Sequence, residues 1–500
     1  MRFPLFADLD ADQKRLYGKS PSDGAILVVG PPGSGKTVVA AHRTVRLSAS
    51  GRPVVLIMFN KVLSQYTSNF DGFKSNTRVM HAHNFWPSWY RSAFGKQIPK
   101  IDQFTFDWPQ IRSQIRDCKT PSILSELNWG HLIIDEGQDF EPEMYEALMS
   151  MVNHPNISEG ERPTLSVFAD DNQTISDRNS TIPELMEALN TSTHNQRLWR
   201  LDKNYRNSLE VAKFSKYFQV RGSTATKLPD RSSGRPPIVF MHTEVEQIYD
   251  QIARYTKNNS SKEIGVIVFG NKRDVTRCYN KVKNRIVSQK VNCTIQGYIN
   301  AMKGKGITEV GDLAFDNPPT ITVLHAQSAK GLEFDTLFVV NLNDAGAYDS
   351  FETDTYKKLY VVSSRSRDAV FLSIRGSLEE SFYPEVMCLL PKPSDGLCHY
   401  LDQEGELIPA AKVEPNVEWK LSAYEFEKKM LSESKELEEI LRVDRNRLVP
   451  ILEELAVDSF DQMASATVIN EKIFEDEGLM DVIVELGRER ALDALREAIQ

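Results

Sequence analysis

The stretch Gly30-Pro31-Pro32-Gly33-Ser34-Gly35-Lys36-Thr37 decides how the rest of the sequence reads. Before it runs Ala25-Ile26-Leu27-Val28-Val29, an apolar run of the length of one buried strand, and after it Val38 to Leu47 is helix-forming. Strand, glycine-rich turn and helix in that order is the context in which GxxxxGK[ST] forms a phosphate cradle. Glycines let the backbone turn tightly and aim N–H groups at negative oxygens beside a helix N-terminus. In that pattern Lys36 neutralises the β- and γ-phosphates and the Thr37 hydroxyl holds Mg²⁺. The bland alternative is a glycine-rich loop that binds nothing; the filled positions and correct flanks weigh against it. The expectation is nucleoside triphosphate binding.

A chain of 500 residues exceeds one core and predicts roughly three domains. The 41% hydrophobic and 26% charged content is that of a globular protein. No apolar run approaches the ~20 residues of a membrane span, and Met1–Gln13 lacks the core of a signal peptide. The five cysteines form no CxxC pair, which fits a reduced, cytoplasmic compartment and implies no zinc site. Net charge is −9, yet residues 421–500 hold 20 Asp and Glu against 10 Lys and Arg, leaving residues 1–420 at +1. The acidity belongs to the tail, so the near-neutral body has room for a local basic groove.

Around the glycine turn the chain alternates strands and helices. Upstream, Gln13 lies in a short predicted helix starting near Asp10 or Asp12; it reads either as a surface residue or as a side-chain amide suited to the edge of adenine. Downstream come strands at 53–59 and from Thr77, the latter running through His81, His83 and Phe85 into a helix. His81 and His83 alternate as metal ligands would, but no carboxylate or cysteine companions stand nearby. Residues 87–128 read as a small inserted subdomain. His131-Leu132-Ile133-Ile134 then runs straight into Asp135-Glu136-Gly137-Gln138-Asp139, as when a parallel strand ends at a site edge. Asp135 suits Mg²⁺ through water, and Glu136 suits the water that attacks a γ-phosphate. Thr164–Ala169 repeats the pattern before Asp170-Asp171-Asn172-Gln173, where Gln173 suits a sensor of phosphate and water. A helix from Leu201 through Phe218 opens a second lobe, followed by strands at 263–269, 320–325, 335–342 and 369–374, and helices at 273–286 and 356–366. Two sets of parallel strands alternating with helices predict an α/β protein of two lobes.

The order of these motifs resembles the UvrD/Rep-type superfamily 1 helicases over about residues 5–375. The matching segments are Gly30–Thr37, Asp135–Asp139, Ala169–Gln173, Asn204-Tyr205-Arg206, Ser328–Phe334 and Tyr360–Arg365. The resemblance implies two RecA-like P-loop lobes, 1–200 (with an insertion about 62–128) and 201–390, then a linker and acidic helical region at 391–500. It implies ATP between the lobes, Gln13 on adenine, Tyr205 stacked on it, and Glu333 near the ribose or the nucleic acid. Arg206 and Arg365 are implied as arginine fingers. It further implies a single strand, DNA before RNA, moved 3′ to 5′ across both lobes, with Asn60, Lys61, His83 and Phe85 as contacts. Where the family has an aromatic pair after Gln173 this chain has Ser176-Asp177-Arg178, which offers Arg178 as a stacking cation. Val38 and Gln327 also depart from the family pattern, and the insertion before the Ser328–Phe334 motif is short. A rival is an ATPase switch subunit of a larger complex, for example with a nuclease in anti-phage defence. The acidic tail reads as a helical appendage or as a docking module for a protein partner. A small-molecule kinase is disfavoured by the second-lobe motifs.

Overall fold

The computed structural model describes residues 4–58, 72–103, 105–170, 180–219, 227–299, 313–314, 317–345, 352–376 and 385–417. The chain divides into compact units Met1–Ala423 and Tyr424–Gln500, and every described residue belongs to the first. The expected tail helices therefore lie outside the described residues.

Two all-parallel sheets organise the first unit. One contains β1 (Ala25–Val29), β2 (Val54–Met58), β3 (Thr77–His81), β4 (His131–Ile134), β5 (Thr164–Ala169) and β6 (Leu198–Arg200), in the order β3-β2-β4-β5-β1-β6. The other contains β7 (Ile238–His242), β8 (Glu263–Val268), β9 (Thr294–Tyr298), β10 (Thr320–His325), β11 (Phe334–Val340), β12 (Ser366–Arg375) and β13 (His399–Leu401), in the order β13-β7-β12-β11-β8-β10-β9. Helices cover the sheets, so inner strands such as β1, β2, β4 and β5 are buried at every residue. That burial is why they read as continuous apolar runs rather than alternating ones. One core joins the sheets, running from Ile26, Val28 and Leu56 through Phe214 and Phe218 to Leu337 and Val339.

Register positions the site. Val29 pairs with Ala169 and Ile134 with Val167, so β1, β4 and β5 end together and their following loops emerge side by side. On the other sheet Phe334 pairs with Ser366, which places Glu333 and Arg365 immediately before the starts of β11 and β12. The C-terminal edge of one sheet thus faces residues at the N-terminal edge of the other.

Several elements differ from expectation. Residues 82–127 form helices Ala82–Phe94, Trp108–Arg116 and Pro121–Leu127 that share one core with β1 and β2, so they are a covering layer and not a separate subdomain. The segment 201–208 is not helical; its backbone is spent on cross-links, Tyr205 N–H to Gly33 O at 2.8 Å and Ser208 N–H to Arg367 O at 2.7 Å. The helix starts only at Leu209, capped by Ser208. The second lobe also runs past 390, because β13 pairs with β7 and Tyr400, Ile408 and Val413 join the core. Among the described residues no helix is long and apolar enough to cross a membrane.

Candidate functional site

Gly35 adopts φ +83° and begins the helix Lys36–Ser48, whose first N–H groups border the glycine-rich turn. A Cβ at Gly33, itself at φ +76°, would stand 2.4 Å from Asn204 Oδ1, so the turn and the inter-lobe connector are packed at backbone distance. Lys36 is buried and donates to Gly30 O at 2.6 Å, Pro31 O at 3.1 Å and Asp170 Oδ2 at 3.1 Å. Its ammonium therefore sits at the mouth of the turn. Arg43, buried on the same helix, donates from Nε to Ser166 Oγ at 2.9 Å and ties the helix to β5.

Beyond β4, Thr37 Oγ1 donates to Asp135 Oδ2 at 2.6 Å, while Asp135 Oδ1 is buried without a hydrogen-bond partner. Burial, with the neighbouring Glu136, pushes the Asp135 carboxyl up to about 7. Glu136 is held at φ +53°, an uncommon backbone for a side chain of its size. Burial alone would raise its pKa, but Lys330, Lys36 and Arg365 with the Gln138 amide hold it below the usual carboxylate range. Gln138 fixes it by donating to Glu136 Oε2 at 2.7 Å while accepting from Asp170 N–H at 2.9 Å.

The second sheet supplies the opposite wall. Arg206 donates to Glu333 Oε1 from Nε at 2.7 Å, and Arg367 donates to Glu333 Oε2 at 3.1 Å. Burial opposes the Glu333 charge, yet these two guanidiniums bring its pKa down to about 2. Arg365 is fully buried and donates from Nε to Val361 O at 3.0 Å. Burial and Arg206 lower its pKa to about 10, which leaves it charged at neutral pH. Lys330 reaches across to Asp139 Oδ1 at 2.5 Å, a buried ion pair joining the two lobes. Between the walls is a cavity of about 470 Å³ whose lining includes Gln13, Lys36, Thr37, Glu136, Arg206 and Arg365.

No protein-family model matches this chain, and neither does any curated protein.

The geometry of the site gathers most of the expected nucleotide residues at one cavity. Gly33, Gly35, Pro32, Tyr205 and Glu333 also line the cavity. Gln13 lines it too, but its amide donates to Ser34 O at 3.0 Å and accepts from Asp10 N–H at 3.2 Å, so it braces the turn. Glu333 lines the cavity while binding Arg206 and Arg367. Tyr205 keeps an exposed ring under Lys203 and hydrogen-bonds the Asp10 carboxylate.

Of the expected strand contacts, Phe85 is corrected. Helical phase turns Ala82, Phe85, Trp86 and Trp89 inward, and Phe85 lies 4.9 Å from Trp86 in an aromatic core. His83 is exposed and stacks on His81 at 5.4 Å. Asn60, Lys61, Gln173 and Arg178 lie outside the described residues. Asp139, Asp170, Lys330 and Arg367 received no role from sequence. For Asp139, Asp170 and Lys330, position inside the quoted motifs was the available signal; Arg367 lies two residues past the last of them.

Proposed function

We propose that this protein is an ATP- and Mg²⁺-dependent motor on single-stranded nucleic acid, built as two RecA-like lobes of the UvrD/Rep-type superfamily 1 pattern, with DNA preferred to RNA. The observation that carries the reading is the single cavity lined from one side by Lys36, Thr37 and Glu136 and from the other by Arg206 and Arg365. Cations on opposite walls suit a polyanion between them, and their convergence on one phosphoryl group makes the lobe gap sensitive to its hydrolysis.

The residues divide the work by chemistry. Lys36 exchanges the carbonyls of Gly30 and Pro31 for phosphate oxygens. Thr37 and Asp135 would hold Mg²⁺, which supplies charge neutralisation on the phosphates when bound. The unpartnered, buried Asp135 Oδ1 fits that role. Glu136, kept ionised by three cations, accepts the proton of the attacking water. Arg206 and Arg365 stabilise the charge that develops on the transferring group. Loss of those contacts after hydrolysis lets the lobes part, and a strand lying on both is moved.

One observation favours a second reading, an ATPase switch within a larger complex with little unwinding power. The connection between β9 and β10, where the resembled family carries a large subdomain, spans only residues 299–319. A strand-displacement assay beside a translocation assay separates the readings.

The first test is ATP turnover with and without single-stranded DNA, single-stranded RNA and duplex. Stimulation by a single strand is expected, with turnover abolished in Lys36→Ala. Glu136→Gln is expected to bind ATP and not hydrolyse it. Turnover indifferent to all three nucleic acids would overturn the motor.

A further inference from the structure

The helix Lys272–Ser288 packs on the second sheet through Val275, Cys278, Tyr279, Val282 and Ile286. These positions place one face inward and leave a broad face to solvent. Its flank toward the helix Glu246–Asn258 is neutralised, with Lys281 bound to Glu246 at 2.6 Å and Arg285 to Asp250 at 3.2 Å. The outer face is different. Lys272, Arg273 and Lys283 are exposed and have no carboxylate partner among the described residues. Asn280 and Asn284, one turn apart, are exposed on the same face. Asn271 caps the helix, and the Asp274 carboxylate accepts from Asn271 N–H and binds Arg277, so no carboxylate on this helix opposes that outer face.

We propose that this outer face is a docking surface for the sugar-phosphate backbone of duplex DNA, separate from the ATP cavity. Three uncompensated cations and two amides on one face match phosphate oxygens in charge and hydrogen-bond capacity. A helix of 17 residues is about 25 Å long, most of a turn of B-DNA. The face is convex and carries no exposed aromatic ring, whereas sequence-tolerant single-strand sites are grooves with stacking platforms. The B-form major groove admits a helix, and the deep, narrow one of duplex RNA does not. Duplex DNA is thus the occupant that the shape and the charge agree on. Position on a motor lobe would let this face hold the duplex behind or ahead of a strand, a deepening that rests on the function proposed above; binding itself does not.

The test is a titration of a blunt DNA duplex, a single strand and polyglutamate with the full chain over a range of salt. In Lys272→Gln/Arg273→Gln/Lys283→Gln, duplex affinity is expected to fall about tenfold or more, and the salt slope to shrink by about one per lost phosphate contact. Asn284→Glu, which sets a carboxylate among the cations, is expected to weaken duplex binding too. Single-strand affinity and unstimulated ATP turnover should match wild type in both. Duplex binding unchanged in affinity and slope overturns the proposal, as does wild-type binding of polyglutamate in preference to duplex. A chain that binds duplex through this face without hydrolysing ATP would sink the motor and leave the surface standing.

Discussion

Asp135 holds the sharpest conflict at the scale of single residues. Its carboxyl is buried, one oxygen accepts from Thr37 and the other has no partner, so the ionised form is costly in the folded chain. Its pKa rises from an ordinary 3.8 to about 7. The sign follows from proton binding: between those values the folded state holds a proton that the unfolded state has released, so stability falls as pH rises through that window and levels off above it. Asp135→Asn removes the charge at constant shape. It is expected to raise stability by roughly 1–3 kcal/mol at pH 8, with the advantage vanishing near pH 4. Urea unfolding of both proteins at the two pH values checks this, and equal stability at pH 8 would contradict it. The same substitution should remove any Mg²⁺-dependent gain in stability. That Lys36, Thr37, Asp135 and Glu136 would meet was legible in sequence, because each ends or follows a strand whose apolar run and polar terminus are local. Phe85 was misread because its helical phase, rather than its neighbours in sequence, decides which way the ring faces.

Among the elements, the glycine-rich turn depends on the connector packed against it. Gly33 accepts the Tyr205 N–H through its carbonyl, and Asn204 Oδ1 accepts the N–H groups of Arg206 and Asn207 at 3.0 and 3.1 Å. A methyl group at Gly33 would strike that same Asn204 oxygen while forcing a left-handed backbone on alanine. Gly33→Ala is thus expected to disturb both walls together: about tenfold weaker binding of a fluorescent ATP analogue, and loss of Arg206 from its place beside Glu333. An affinity within twofold of wild type would show the connector to be independent of the turn. The connector itself was misread as the start of a helix, since its polar residues make their bonds to chain segments distant in sequence. The inner strands other than β7, which was not read, were legible as apolar runs. The edge strands β6, β9 and β13 were not, because a short strand buried on part of its surface carries a mixed pattern.

For the whole molecule, the Asp139–Lys330 pair is a buried bridge between the two lobes. Each partner belongs to a different sheet's loops, and both side chains are nearly inaccessible. Such long-range pairing leaves no trace in local sequence; the two residues sit in separate motifs almost two hundred positions apart. Removing one partner of a buried pair strands the other, at a cost of about 3–5 kcal/mol. Lys330→Met should therefore destabilise the chain by about that amount, while Asp139→Asn/Lys330→Met recovers much of it. A second effect separates communication from mere support. Lys330 is the foremost of the cations that hold Glu136 ionised against burial. Its loss raises the Glu136 carboxyl, so on the proposed mechanism the acid limb of the pH profile of kcat moves to higher pH. The double variant restores stability without restoring that charge; losing the Asp139 carboxylate, which repels Glu136, offsets part of the displacement, so its acid limb should lie between wild type and Lys330→Met. If the limb returns with stability, or never moves, Lys330 only fastens the lobes and the ionisation of Glu136 does not depend on their closure.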